Sequence, residues 1–178
     1  MKDCVINDAE NSTSSSSNST SNTRLMSLTI TECSLSKEHI ELLLSETRLL
    51  RHFKLISQRG TLDSVFDGLD WEQFIQNKLS TLEKFEFFLS HRNQWYDFIV
   101  GLDSLIDSYR SPFWLKEKHW LVAAAYIIKS SQIWLYTRPF SGMDHDMSQV
   151  RYELSSTDYD YRLVARPIDI IFDTDSNV

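Results

Sequence analysis

The clearest hydrophobic period in the chain joins Trp95, Phe98, Ile99, Leu102, Leu105, Ile106 and Tyr109. These large apolar side chains share one helical stripe, which predicts a helix that Pro112 stops. Upstream, Ser36 is placed to cap a helix with Ile40, Leu43, Leu44 and Leu50 on its apolar face, ending near His52. Phe53-Lys54-Leu55-Ile56 reads as a short extended entry into a loop, 57–61, around Gly60. Trp71, Phe74, Ile75, Leu79, Leu82 and Phe85 then recur at helical intervals and predict a buried helix over 71–89, with an interruption near Ser80.

The run 120–128 is apolar nearly all round, as expected for a helix enclosed in the core, with Ala123, Ala124 and Ala125 permitting close approach. Ile133-Trp134-Leu135-Tyr136 reads as a strand. A polar loop, 141–148, leads to short extended candidates at 150–154, 161–164 and 168–172. With helices first and strands last, the expected class is α+β or α/β-like, a helical half packed around a small central sheet. Neither an internal repeat nor a long heptad series is evident.

Composition changes this picture at the N-terminus, where every residue from Asn11 to Thr23 is Asn, Ser or Thr. Such a stretch cannot bury enough apolar area to offset its ordering entropy, so 1–24 is expected to be a disordered tail and 25–178 a single domain. Two sequons in it, Asn11-Ser12-Thr13 and Asn18-Ser19-Thr20, read as chance matches in a polar tract. The 25 acidic residues outnumber 18 Lys and Arg, a net charge of -7, which disfavours nucleic acid and anionic membrane as partners.

Cys4 and Cys33 form no zinc spacing and no disulfide framework. The longest wholly apolar run, 121–128, is too short to cross a bilayer, and the first ten residues lack the apolar stretch of a signal peptide. A cytoplasmic or nuclear location is therefore expected. Gly60, Gly68, Gly101 and Gly142 are too scattered for a phosphate loop. Asp144-His145-Asp146 reads as a solvated acidic loop, so neither cofactor nor metal is expected.

One segment carries more. Asp63-Ser64-Val65-Phe66-Asp67-Gly68-Leu69 follows a short polar loop and opens an apolar helix. It resembles the nucleophile segment of the ovarian tumour (OTU) family of cysteine proteases, in which an Asp-Gly-Asn loop leads into Cys-Leu-Phe-Arg-Ala. Later landmarks keep that family's order. Leu82 onward resembles the next helix, and 95–109 the stretch leading to a Tyr and then a Trp. Trp114 with the Ala-rich run to Ile128 and the strand 133–136 resembles the tryptophan, Leu-x-Ala-Ala helix and central strand. Arg166-Pro167-Ile168-Asp169-Ile170-Ile171-Phe172-Asp173 resembles the last strand, which in the family delivers a His followed by an aromatic residue.

The departures are chemical. Ser64 stands at the nucleophile position, Thr61 and Leu62 replace the Asp and Gly of the loop, and the sequence stops at Val178, about where the histidine is expected. A cysteine beside an imidazolium becomes a thiolate at neutral pH, whereas a serine must lose its proton to a base during attack. Ser64 without a histidine is idle, and it has a plainer reading as a helix cap.

The resemblance thus implies a catalytically impaired OTU-like domain that binds ubiquitin or a ubiquitin-like protein, cut short at its C-terminal end. The alternatives are an active thiol deubiquitinase using Cys33 as nucleophile, and a helical interaction scaffold unrelated to the OTU family. For the 95–109 stripe, core burial is the favoured role over a partner groove.

Overall fold

In the computed structural model the described residues are 5–8, 25–92, 98–140, 151–159 and 162–164. Among these residues eight strands form one sheet in the order β1-β2-β3-β4-β6-β5-β7-β8. In chain order these are β1 (Val5–Asp8), β2 (Ser27–Thr31), β3 (His52–Arg59), β4 (Lys84–Arg92), β5 (Leu121–Ile127), β6 (Gln132–Arg138), β7 (Arg151–Ser155) and β8 (Arg162–Val164). Among the described residues three α-helices accompany them, α1 (Lys37–Ser45), α2 (Gly68–Lys78) and α3 (Phe98–Asp107). The mixed α and β class agrees with the expectation, but strands and helices alternate from the start. The small strand Val5–Asp8 pairs antiparallel with β2, inside the stretch expected as a tail.

The chain from β2 to β4 is a repeat that the sequence reading did not recognise. Strands β2, β3 and β4 are parallel and adjacent, with α1 and α2 as the crossovers that parallel pairing requires. The register aligns Leu28 with Phe53 and Phe85, and Ile30 with Leu55 and Phe87. Each strand follows an apolar residue three positions earlier, giving Leu25-x-x-Leu28-x-Ile30, Leu50-x-x-Phe53-x-Leu55 and Leu82-x-x-Phe85-x-Phe87. The first continues through Cys33 and Leu35, the spacing of a leucine-rich-repeat strand. All three alternate, with the inward residues in the core shared with the helices and the outward ones largely polar.

Two expected helices are corrected. The segment 71–89 divides at Leu79 into the end of α2 and the strand β4, because Phe85, Phe87 and Leu89 follow a period of two. The run at 120–128 is β5. It lies between β6 and β7, and both of its faces are buried: Val122 and Ala124 join the helix-side core, while Ala123, Ala125 and Ile127 join a second cluster with Trp134, Tyr136 and Phe88. A strand buried on both faces loses its polar alternation and reads like an enclosed helix.

Smaller differences concern bounds. Helix α1 stops at Ser45, and β3 extends through Arg59 into the expected loop. Of the 95–109 stripe, Phe98–Asp107 form α3, followed by a π-type turn, Phe113–Glu117, after Pro112. The strand at 133–136 is β6, and two later candidates are β7 and β8. Trp95, the 141–148 loop and the 168–172 strand lie outside the described residues. Among the described residues no helix is long and apolar enough to cross a membrane.

Candidate functional site

Ser64 opens a 3₁₀ turn, Ser64–Phe66, beyond the C-terminal end of β3 and directly before α2. The capping role falls to its neighbours rather than to Ser64. Asp63 accepts from the Val65 amide at 3.2 Å, and Asp67 accepts from the Leu69 amide at 2.8 Å and the Asp70 amide at 3.4 Å. Arg59 holds Asp63 in place: it pairs with the carboxylate and donates to the carbonyls of Leu35 at 2.7 Å and Cys33 at 3.4 Å. The Ser57 hydroxyl donates to the same Cys33 carbonyl. The ends of β2 and β3 and the turn are thereby tied into one polar network.

From below, three aromatic donors grip the turn. Trp71 Nε1 donates to the Val65 carbonyl at 2.9 Å, Tyr109 Oη to Phe66 at 3.2 Å, and Trp114 Nε1 to Gly68 at 3.1 Å. All three side chains are fully buried, so these bonds satisfy carbonyls that water does not reach. Burial pushes the Tyr109 phenol well above its ordinary range, and the Asp67 charge adds to the effect. The turn that follows α3 completes the support: Ser108 Oγ accepts from the Gly68 amide at 2.8 Å. A Cβ on Gly68 would lie 2.6 Å from the Ser108 carbonyl oxygen, so this approach requires glycine.

Half-buried Ser64 borders two open depressions. One, of about 390 Å³, lies between α1 and α2 and mixes charges, with Lys37, Glu38, Glu41, Asp70 and Lys78 around it. Lys37 there is nearly buried, pairs with Glu41 at 2.5 Å and lies over the Trp71 ring at 5.4 Å. Glu38 is held below the usual carboxylate range, chiefly by the Ser36 hydroxyl and then by its own backbone amide. The other depression, of about 310 Å³, lies between the 3₁₀ turn and α3.

Among the described residues, no histidine lines either one. His39 bonds Ser36 at 2.8 Å, His52 faces Glu83, and His91 meets the Arg59 carbonyl at 3.3 Å. His119 precedes β5 with φ 56°, and His145 lies outside the described residues. Cys33 is 1% exposed within the core. A thiol enclosed there lacks the solvent exposure that marks reactive cysteines.

The structure therefore brings Tyr109 and Trp114, two landmarks of the sequence pattern, onto Phe66 and Gly68 of the segment that carries Ser64, but in a supporting capacity. Two other landmarks, Leu82 onward and the Ala-rich run, are strands where the resemblance expects helices. The role of Arg59 escaped the sequence reading, and its only signal was a charged residue ending an apolar strand. Comparison with protein-family models, with curated proteins and with solved structures gives no match.

Proposed function

We propose that this chain is a non-catalytic protein-binding module whose partner is ubiquitin or a ubiquitin-like protein, engaged at the surface around Ser64. The observation carrying this reading is the position of Ser64: a firmly supported turn between two open depressions, past the carboxyl end of a parallel strand, with no histidine among the described residues lining either depression. Open α/β sheets commonly bind ligands beyond the carboxyl ends of their strands. A serine hydroxyl with no base beside it contributes contact rather than attack.

Titration of the ¹⁵N-labelled chain with ubiquitin tests the reading. The expected result is a contiguous set of shifted amides that includes the 62–70 segment, and silence to millimolar concentration overturns the ubiquitin assignment. A ubiquitin probe with a thiol-reactive C-terminus is expected to form no adduct. An adduct abolished by Cys33→Ala would establish the thiol enzyme instead.

A second reading, an interaction scaffold unrelated to the OTU family, is favoured by the aligned repeat Leu28, Phe53 and Phe85 and by the two strands that replace expected helices. It is a mixed scaffold rather than a helical one. Ubiquitin silence combined with binding of another protein would select it.

A further inference from the structure

The two ends of the sheet are finished differently. At one end β8 has three residues and carries Arg162. Shortness and charge are ordinary means of keeping an edge strand from pairing with another chain. Toward the other end, next to β1, lies β2, Ser27-Leu28-Thr29-Ile30-Thr31. It carries no charge, no proline and no glycine, and its Thr and Ile residues favour extended backbone. Left as an edge, such a strand pairs readily with another.

That edge is occupied. Val5–Asp8 runs antiparallel along β2, with Val5 opposite Thr31 and Asp8 opposite Leu28, and among the described residues β1 pairs with no other strand. The outer strand is blunt where β2 is not: it has four residues, ends in Asp8 and follows Lys2 and Asp3. The chain between them, 9–26, includes the run from Asn11 to Thr23, whose composition offers little apolar surface to bury. The β2 ladder is therefore what holds β1 in place.

β2 is also suited to pairing with itself. In a two-fold antiparallel pair centred on Thr29, Ser27 faces Thr31, Leu28 faces Ile30 and Thr29 faces its own copy. Leu28 and Ile30 are buried in the helix-side core, so the pair continues that core across the joint. Ser27, Thr29 and Thr31 align on the opposite face, and like charges meet nowhere along the ladder.

We propose that Val5–Asp8 guards a self-association surface: paired with its own β2, it keeps a second copy of this chain away, and when it leaves, the two β2 strands pair to form a two-fold dimer with one continuous sheet. The inference is independent of the ubiquitin reading.

Sedimentation equilibrium of the full chain across the micromolar range tests it, with hydrogen exchange at the β2 amides reporting release of β1. Ile6→Pro combined with Asn7→Pro removes a ladder donor whichever of the alternating pairs is hydrogen-bonded. The parent is expected to remain monomeric, and the double-proline chain to dimerise with a Kd at least about tenfold lower. Adding Thr29→Lys to that chain sets like charges opposite each other and should return the monomer. Mixing it with a double-proline chain carrying Thr29→Glu should restore the dimer.

Where the double-proline chain fails to fold or keeps its β2 amides protected, a protease site inserted between Ser16 and Ser17 is cut after folding and the N-terminal fragment removed by gel filtration. The same readings are then expected. A released chain that stays monomeric overturns the inference, and so does a fragment that stays bound through gel filtration. A dimer indifferent to Thr29→Lys, a dimer not restored by the Lys/Glu mixture, or a parent that dimerises as tightly as the released chain overturns it equally.

Discussion

The Tyr109 hydroxyl reaches the Phe66 carbonyl across 43 positions of sequence, joining the segment after α3 to the turn that carries Ser64. Replacing Tyr109 by Phe leaves that carbonyl buried without its donor. The expected loss, read from urea unfolding at neutral pH, is about 1–2 kcal/mol.

The same phenol gives a pH dependence of known sign. Its folded pKa is raised while its unfolded value stays near about 10, so above that pH the unfolded chain releases a proton that the folded chain keeps. The stabilising contribution is fully present below about pH 10 and is lost as pH rises toward the folded value. Unfolding measured from neutral pH into this range should show a smaller alkaline decline for Tyr109→Phe than for the parent. Identical slopes would place the ionisation elsewhere.

Arg59 anchors the polar network at the strand ends. Arg59→Met should destabilise the fold by about 2–4 kcal/mol, a range lowered because the Asp63 side chain is 33% exposed and partly screened. Asp63→Asn should cost less, since it keeps an oxygen for the Val65 amide. A double-mutant cycle between the two reads their coupling, and strict additivity would deny it.

Gly68→Ala must push α2 away from Ser108 and is expected to cost about 1–3 kcal/mol in urea unfolding. Gly101→Ala is the internal control. It lies within α3 with nothing within 4 Å of a new Cβ, so it should be neutral or stabilising by up to about 1 kcal/mol.

Ser64→Cys restores the residue type of the resembled family without its base. The alkylation rate of this thiol against pH should have a midpoint near about 8.5, the value of an unassisted cysteine. A midpoint below about 7 would reveal an activating group and overturn the non-catalytic reading.

The sequence was most legible where one face met water. Alternation in β3 and the stripe of α3 were read because polar residues marked the opposite side. The pattern failed where polarity vanished, since Val122, Ala123, Ala124 and Ala125 are all buried and nothing distinguishes a period of two from one of 3.6. The repeat was hidden for another reason: Leu28, Phe53 and Phe85 differ in residue type, and successive strands are offset by unequal lengths of chain. At the candidate site the turn was visible from Asp63 to Leu69, but its long-range supports, Tyr109, Trp114 and Ser108, become apparent only in three dimensions.

The three parallel strands are bracketed: β1 runs antiparallel to β2 on one side, and β6 runs antiparallel to β4 on the other. Strand direction therefore acts as punctuation. Another strand-helix unit of the same hand could not simply be added at either side, because the position it would occupy is already taken by a strand of opposite sense. The repeat behaves as a closed word of three letters rather than as an open polymer, and its length is written into the sheet.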